Sequence, residues 1–211
     1  MSLTVILLII TVVVSLIAES NADLKFKLLF NAHSIKYDKE WYRWITHGFV
    51  HGGVIHLLIN MWVFYNFGEI VEKELAISFG GLGTGIYILL YVGGFIVSSL
   101  SSYFKHQENP SYNSLGASGG VASVLFSFIL FYPTHSLMLL FLPGVPIPAF
   151  VLGLLYLWYE NYMSKRGGTG IAHDAHFWGS VYGIVLITVI DYKVLVECMG
   201  QIRVFISSLF A

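Results

Sequence analysis

Ser114-Leu115-Gly116-Ala117-Ser118-Gly119-Gly120 ends a polar loop and runs directly into the apolar stretch 121–131. A serine among glycines is common, but one at the mouth of a membrane-spanning segment is not. In lipid a lone hydroxyl adds little stability, and each glycine weakens a helix by about 1 kcal/mol. Glycines kept there imply that another backbone, or a substrate, approaches Ser118 closely. On this reading Ser118 is a nucleophile. The rest of the chain supplies its partners or holds it inside the bilayer.

Composition sets the surroundings. The chain is 56% apolar and only 11% charged, against roughly 25% charged in a soluble domain. It reads as an integral membrane protein of the all-α class, a polytopic bundle with a long interfacial loop after its first helix. Six spans are expected in one domain, residues 1–211, at about 3–19, 54–72, 82–104, 115–132, 149–163 and 171–191. A net charge of −1 and scattered basic residues exclude nucleic acid as a partner. The single cysteine, Cys198, excludes an intrachain disulfide framework.

Ser20-Asn21-Ala22 loosely resembles a signal-peptidase site, but no basic segment precedes the apolar run and the first lysine is Lys25. A retained first helix is therefore expected. Residues 20–53 interleave Lys25, Lys27, Lys36, Lys39 and Arg43 with Trp41, Tyr42 and Trp44, as interfacial segments do. Gly80-Gly81-Leu82-Gly83-Thr84-Gly85 fits no nucleotide-binding fingerprint. Pro143, Pro146 and Pro148 stop any helix between the fourth and fifth spans. Beyond 191 a short, partly apolar tail is expected.

Ionisable and amide side chains inside spans are costly, so each needs a reason. His56 and Asn60 are four apart in the second span, about 400° of rotation, and share a face. His176 lies near the start of the sixth span, followed by Gly179 and Gly183 at a spacing that lets another helix approach. Spans alternate in direction, so the second, fourth and sixth enter from one side. His56, Ser118 and His176 then share one depth, with Asn60 a turn deeper. A serine needs a base to attack, and His176 is placed to be that base. His56, Asn60 and the Ser118 backbone N–H are placed to bind the oxyanion of acyl transfer. No Asp or Glu stands out as a third member: Asp174, two positions from His176, points to another face. A Ser–His dyad is expected. His47 and His51 precede the second span and read as structural hydrogen-bonding groups, and His173 as a loop residue. Residues 116–120 also satisfy G-x-S-x-G, but that elbow requires a preceding strand and an α/β sheet. His173-Asp174-Ala175-His176 is too weak a pattern to argue a metal.

These motifs together resemble the rhomboid intramembrane serine proteases in their compact six-helix form, over almost the whole chain. His51-Gly52-Gly53-Val54-Ile55-His56-Leu57-Leu58-Ile59-Asn60 resembles the family's H-x4-H-x3-N. Gly116-Ala117-Ser118-Gly119 resembles its G-x-S-G, and Ala175-His176-Phe177-Trp178-Gly179-Ser180-Val181-Tyr182-Gly183 its A-H-x-x-G-x-x-x-G. Arg43 falls where the first-loop arginine motif would be, with Tyr42 in place of tryptophan. The resemblance implies Ser118 as nucleophile, His176 as base, Asn60 and His56 as oxyanion donors, and His51 in a supporting role. It implies cleavage of transmembrane substrates near their outer ends, no metal or cofactor, and cytoplasmic termini in a bacterial inner (plasma) membrane. It also implies that the loop 164–170 caps the site, alongside movement of the fifth helix. One departure stands out. Some members carry an aromatic four residues after the nucleophile, stacked on the histidine; here that residue is Ala122, so His176 must be held in another way. Two other functions compete: a non-catalytic rhomboid-like protein that binds membrane clients, and a histidine-lined transporter.

Overall fold

The computed structural model describes residues 1–139, 142–166 and 171–210. Helix α1 (Leu3–Glu19) leads into the first loop. That loop holds α2 (Ala22–Leu28), a π-helical turn (Ser34–Asp38), the single turn α3 (Arg43–Thr46) and a 3-10 turn (His47–Phe49). Two long helices follow, α4 (Val54–Phe79) and α5 (Gly81–His106), and then α6 (Ser118–Phe131). An antiparallel hairpin of β1 (Ser136–Leu139) and β2 (Leu142–Pro148) joins α6 to α7 (Ala149–Arg166). Helices α8 (His173–Ile190) and α9 (Tyr192–Ser208) complete the described chain.

Helix α6 is the axis of the bundle. Its residues from Gly119 to Val124 and from Phe126 to Leu130 are buried, as expected of a helix apolar on all sides. Around it, Phe64 of α4 stacks on Tyr91 of α5 at 4.2 Å, and Tyr91 meets Phe95 edge-on at 4.7 Å. The outer faces stay apolar and bare: Ile55, Leu58, Ile59 and Trp62 on α4, and Leu154, Leu155 and Trp158 on α7, are exposed. Hydrocarbon, not water, is the solvent that tolerates such faces. Helices α4 and α5 are each long and apolar enough to cross a bilayer, and α1 and α6 are shorter apolar helices.

Three expectations change. The second span was expected to stop at the acidic run from Glu69, but α4 continues to Phe79 because those acids are used inside the fold. Glu72 accepts from the Leu3 and Thr4 backbone N–H groups at 2.7 and 2.8 Å and from Thr4 Oγ1 at 2.7 Å. A carboxylate there satisfies orphan donors and the positive end of α1 together. Glu69 accepts from Ser2 Oγ at 2.8 Å, and Glu74 from the Tyr132 hydroxyl at 2.5 Å. The prolines do stop the helix, but the connection is paired, Leu137 with Ile147 and Ser136 with Pro148, a small exception to the expected all-α class. The expected tail is the 17-residue helix α9, which buries Val194 and Cys198.

The first loop is built around Arg43, 3% exposed. Its Nη1 donates to the Phe26 and Leu29 carbonyls at 2.8 and 2.7 Å, and its Nε to Glu40 at 2.5 Å. The orphan carbonyls at the end of α2 thereby find a cationic donor.

Candidate active site

The approach to Ser118 is sewn to the first loop by backbone bonds. Phe30 and Ser114 exchange N–H···O bonds of 2.9 and 3.0 Å. The Gly116 N–H donates to the His47 carbonyl at 3.0 Å, and the Ala117 N–H to His51 Nε2 at 3.4 Å. Since Nε2 accepts, the proton of His51 sits on Nδ1, which lies 2.9 Å from Ser15 Oγ; that hydroxyl in turn donates to the Phe49 carbonyl at 2.8 Å. Burial, with the neighbouring His56 adding to it, pushes the His51 imidazole down to about 3. Burial likewise holds His47 at about 4, its Nε2 lying 3.3 Å from Ser99 Oγ. Both first-loop histidines are neutral structural groups, as their place before α4 suggested.

Gly116 makes the bend that presents Ser118. Its φ is +118°, and a Cβ there would lie 2.9 Å from His56 Cε1 and 3.8 Å from Ser118 Oγ. Only glycine fits a backbone so turned against an imidazole. The His56 ring meets His51 edge-on at 5.1 Å. Ser118 is the first residue of α6, and no side chain caps this helix. The Ser118, Gly119 and Gly120 N–H groups therefore have no acceptor within the helix, whose bonding starts with the Val121 N–H on the Ala117 carbonyl at 2.9 Å.

Helix α8 lies against α6 with no side chain between them. A Cβ on Gly179 would stand 2.3 Å from the Gly119 carbonyl oxygen, and one on Gly183 2.2 Å from that of Ser123. Gly119 is as tight, with Ser98 Oγ 2.1 Å from its would-be Cβ. Ser118 and His176 flank this seam, one residue before Gly119 and one helical turn before Gly179. His56 is near enough to His176 for their charges to interact. So the structure gathers Ser118, His56, His176, His51, Gly116, Gly119, Gly179 and Gly183 in one region. Among the described residues no hydrogen bond joins Ser118 to His176. Asn60 is buried one turn below His56 and donates from Nδ2 to the His56 carbonyl at 2.9 Å. It has a second amide hydrogen, and among the described residues no hydrogen bond ties it to Ser118.

What holds His176 corrects the expectation that no carboxylate was placed for it. Glu160 of α7, 4% exposed, receives His176 Nδ1 on Oε1 at 3.1 Å. His173 Nδ1 lies 2.5 Å from Oε2. His173 is thus not a loop residue: it opens α8 and is buried at 4%. The Tyr156 ring lies nearly parallel to that of His176, centroids 6.5 Å apart, where Ala122 offers no ring. Glu160 was legible in principle, as an acid three residues from the end of an expected span, where every charge needs a partner. The ligand atoms of Glu160, His173 and His176 fall within 4.8 Å of one another, a set of a kind that holds metal. In the expected cap, residues 164–166 extend α7; residues 167–170 lie outside the described residues.

A helical membrane bundle whose buried central helix opens with a serine and packs through glycines on a histidine-bearing helix is the class that the fold defines. The Rhomboid domain family matches residues 38–193, and the chain belongs to the rhomboid family. It is 26% identical over 149 residues to RHOMBOID-like protein 12, mitochondrial, of Arabidopsis thaliana, covering 67% of this chain and 44% of that one. It is 26% identical over 191 residues to Rhomboid protease GlpG of Yersinia pseudotuberculosis, covering 88% and 61%. With Presenilin-associated rhomboid-like protein A, mitochondrial, of Danio rerio it shares 27% over 141 residues, covering 66% and 35%. In each case the matched part is less than two thirds of the relative.

Proposed function

We propose that the chain is an intramembrane serine endopeptidase, with Ser118 as nucleophile and His176 as general base. The observation that carries this reading is the glycine seam of α6 and α8 at Gly119 and Gly179, which Ser118 and His176 flank, with His56 packed against Gly116. Six helices, α1 and α4 to α8, cross the bilayer on this reading. The length of α6 supports a buried nucleophile. Fourteen residues reach about 21 Å, short of the roughly 30 Å of a hydrocarbon core, so α6 starts within the membrane.

His176 Nε2 removes the Ser118 proton as Oγ attacks the scissile carbonyl of a transmembrane substrate. The Ser118 N–H, His56 and the second Asn60 amide hydrogen stabilise the oxyanion. The proton on Nε2 passes to the leaving amine, and water activated by the same nitrogen hydrolyses the ester. His51 keeps the stretch before Ser118 in place and takes no part in proton transfer. The reaction uses no metal or cofactor. The membrane is a bacterial inner membrane on this reading, with both termini cytoplasmic. Cys198, buried at 5%, is a poor reporter of that orientation, which a cysteine introduced at Phe210 would report better.

The test is cleavage of a reporter transmembrane substrate in liposomes. Wild-type protein should cleave it, Ser118→Ala should not, and both should melt alike. Robust cleavage by folded Ser118→Ala would remove Ser118 from the mechanism. Wild type that holds the substrate without cutting it would favour client binding.

A further inference from the structure

Glu160 has no task in a two-residue dyad, yet it is the costliest side chain on its helix. Among the described residues α7 buries only Ala149, Gly153 and Glu160. A buried carboxylate is retained only where it is well paired. Here both oxygens are engaged, each by the Nδ1 of a histidine on α8. His173 and His176 stand three apart, on one face of that helix.

The geometry has a consequence for His176. A neutral imidazole carries one proton, and a carboxylate on Nδ1 draws it there. Nε2 is then left with its lone pair, which is the form a general base needs. We propose that Glu160 is a positioning residue for His176, and that His173 secures the carboxylate. The site then works as a Ser118–His176–Glu160 relay. This rests on the protease reading above. When Nε2 takes the serine proton, Nδ1 keeps its own, and Glu160 stays ionised beside the imidazolium, stabilising it. The absence of a ring at Ala122 fits, because the base is held from α7 by Glu160 and Tyr156.

Three observables separate this from a carboxylate that merely docks α7: kcat against KM, the pH profile of kcat, and the rate of fluorophosphonate labelling of Ser118. Glu160→Gln in liposomes should lower kcat between about tenfold and about 10⁴-fold. KM should stay within about twofold, and labelling should slow in step with kcat. Without the carboxylate the imidazolium is less stable, so the acid limb of the kcat profile should move to lower pH. Tyr156 on α7, His173 on α8 and His56 on α4 also face His176. The shift in Glu160→Gln should exceed those in Tyr156→Phe, His173→Gln and His56→Gln; a larger shift in any of these overturns the assignment. So does an unchanged kcat and acid limb in Glu160→Gln, or a loss of kcat matched by loss of folded protein with normal labelling per folded molecule. A wild-type activity changed by a chelator and restored by zinc would give the three residues to a metal instead. The two readings fail separately: active Ser118→Ala sinks the protease, whereas inactive Ser118→Ala with fully active Glu160→Gln sinks only the relay.

Discussion

The two halves of the site are held in opposite ways. On the nucleophile side, residues 114–117 are bonded to Phe30, His47 and His51, all buried and mostly through backbone groups. On the base side, the His176 side chain is 17% exposed and hangs from one carboxylate on a helix that buries little else. The proposed nucleophile is thus fixed several times over, while the proposed base is held by two side chains of α7, Glu160 and Tyr156. Substitutions on the first side should register as lost stability. Those on the second should register as lost rate.

The largest effect tests whether the halves form one machine. Ser118→Ala, His176→Ala and their double mutant should fall to the same residual cleavage rate, because a base without its nucleophile does nothing useful. Effects that multiply in the double mutant would separate them. Asn60→Ala comes next, with a rate loss of up to about 10²–10³ and an unchanged melting temperature. Full activity in His56→Ala/Asn60→Ala would remove both from the oxyanion site.

Gly116→Ala belongs to the nucleophile side. Its positive φ and the crowding against His56 should cost about 1–3 kcal/mol, visible as a lower melting temperature. His51→Ala should cost about 2 kcal/mol, since it strips a partner from the Ala117 N–H and from Ser15. Its kcat per folded molecule should change little; a large loss at unchanged stability would move His51 into the chemistry.

Stability on the same side should also depend on pH. His51 and His47 titrate in the folded protein at about 3 and about 4, below the roughly 6.5 of an unfolded histidine. The unfolded chain therefore binds more protons in that window. The stability from these residues is complete above pH 6.5 and drains away as pH falls toward 4 and then 3. Melting temperature against pH should show this acid limb, and His51→Gln should flatten it. An identical limb in that variant would place the titration elsewhere.

Much of this was legible in the chain itself. The spacing of His56 and Asn60, and of His176, Gly179 and Gly183, is a helical pattern that survives without tertiary information. The expectation that Ser118 and the two histidines share one depth came from the alternation of spans. What escaped was set by contacts between distant segments. Glu69, Glu72 and Glu74 look like a helix end until α1 and Tyr132 are seen to consume them. Residues 136–148 look like a helix stop, and become paired strands only once β1 meets β2. Glu160 lay near the end of an expected span, where an acid passes as interfacial. Its partners at 173 and 176 meet it only once α7 packs on α8.

Covalent labelling tests the central claim most directly. Protein in liposomes is treated with a fluorophosphonate, digested, and mapped by mass spectrometry. Wild type should carry one adduct, on Ser118; His176→Ala should label far more slowly, and Ser118→Ala not at all. Equal labelling of wild type and Ser118→Ala, or a wild type that cleaves its substrate while never forming the Ser118 adduct, would contradict the serine mechanism.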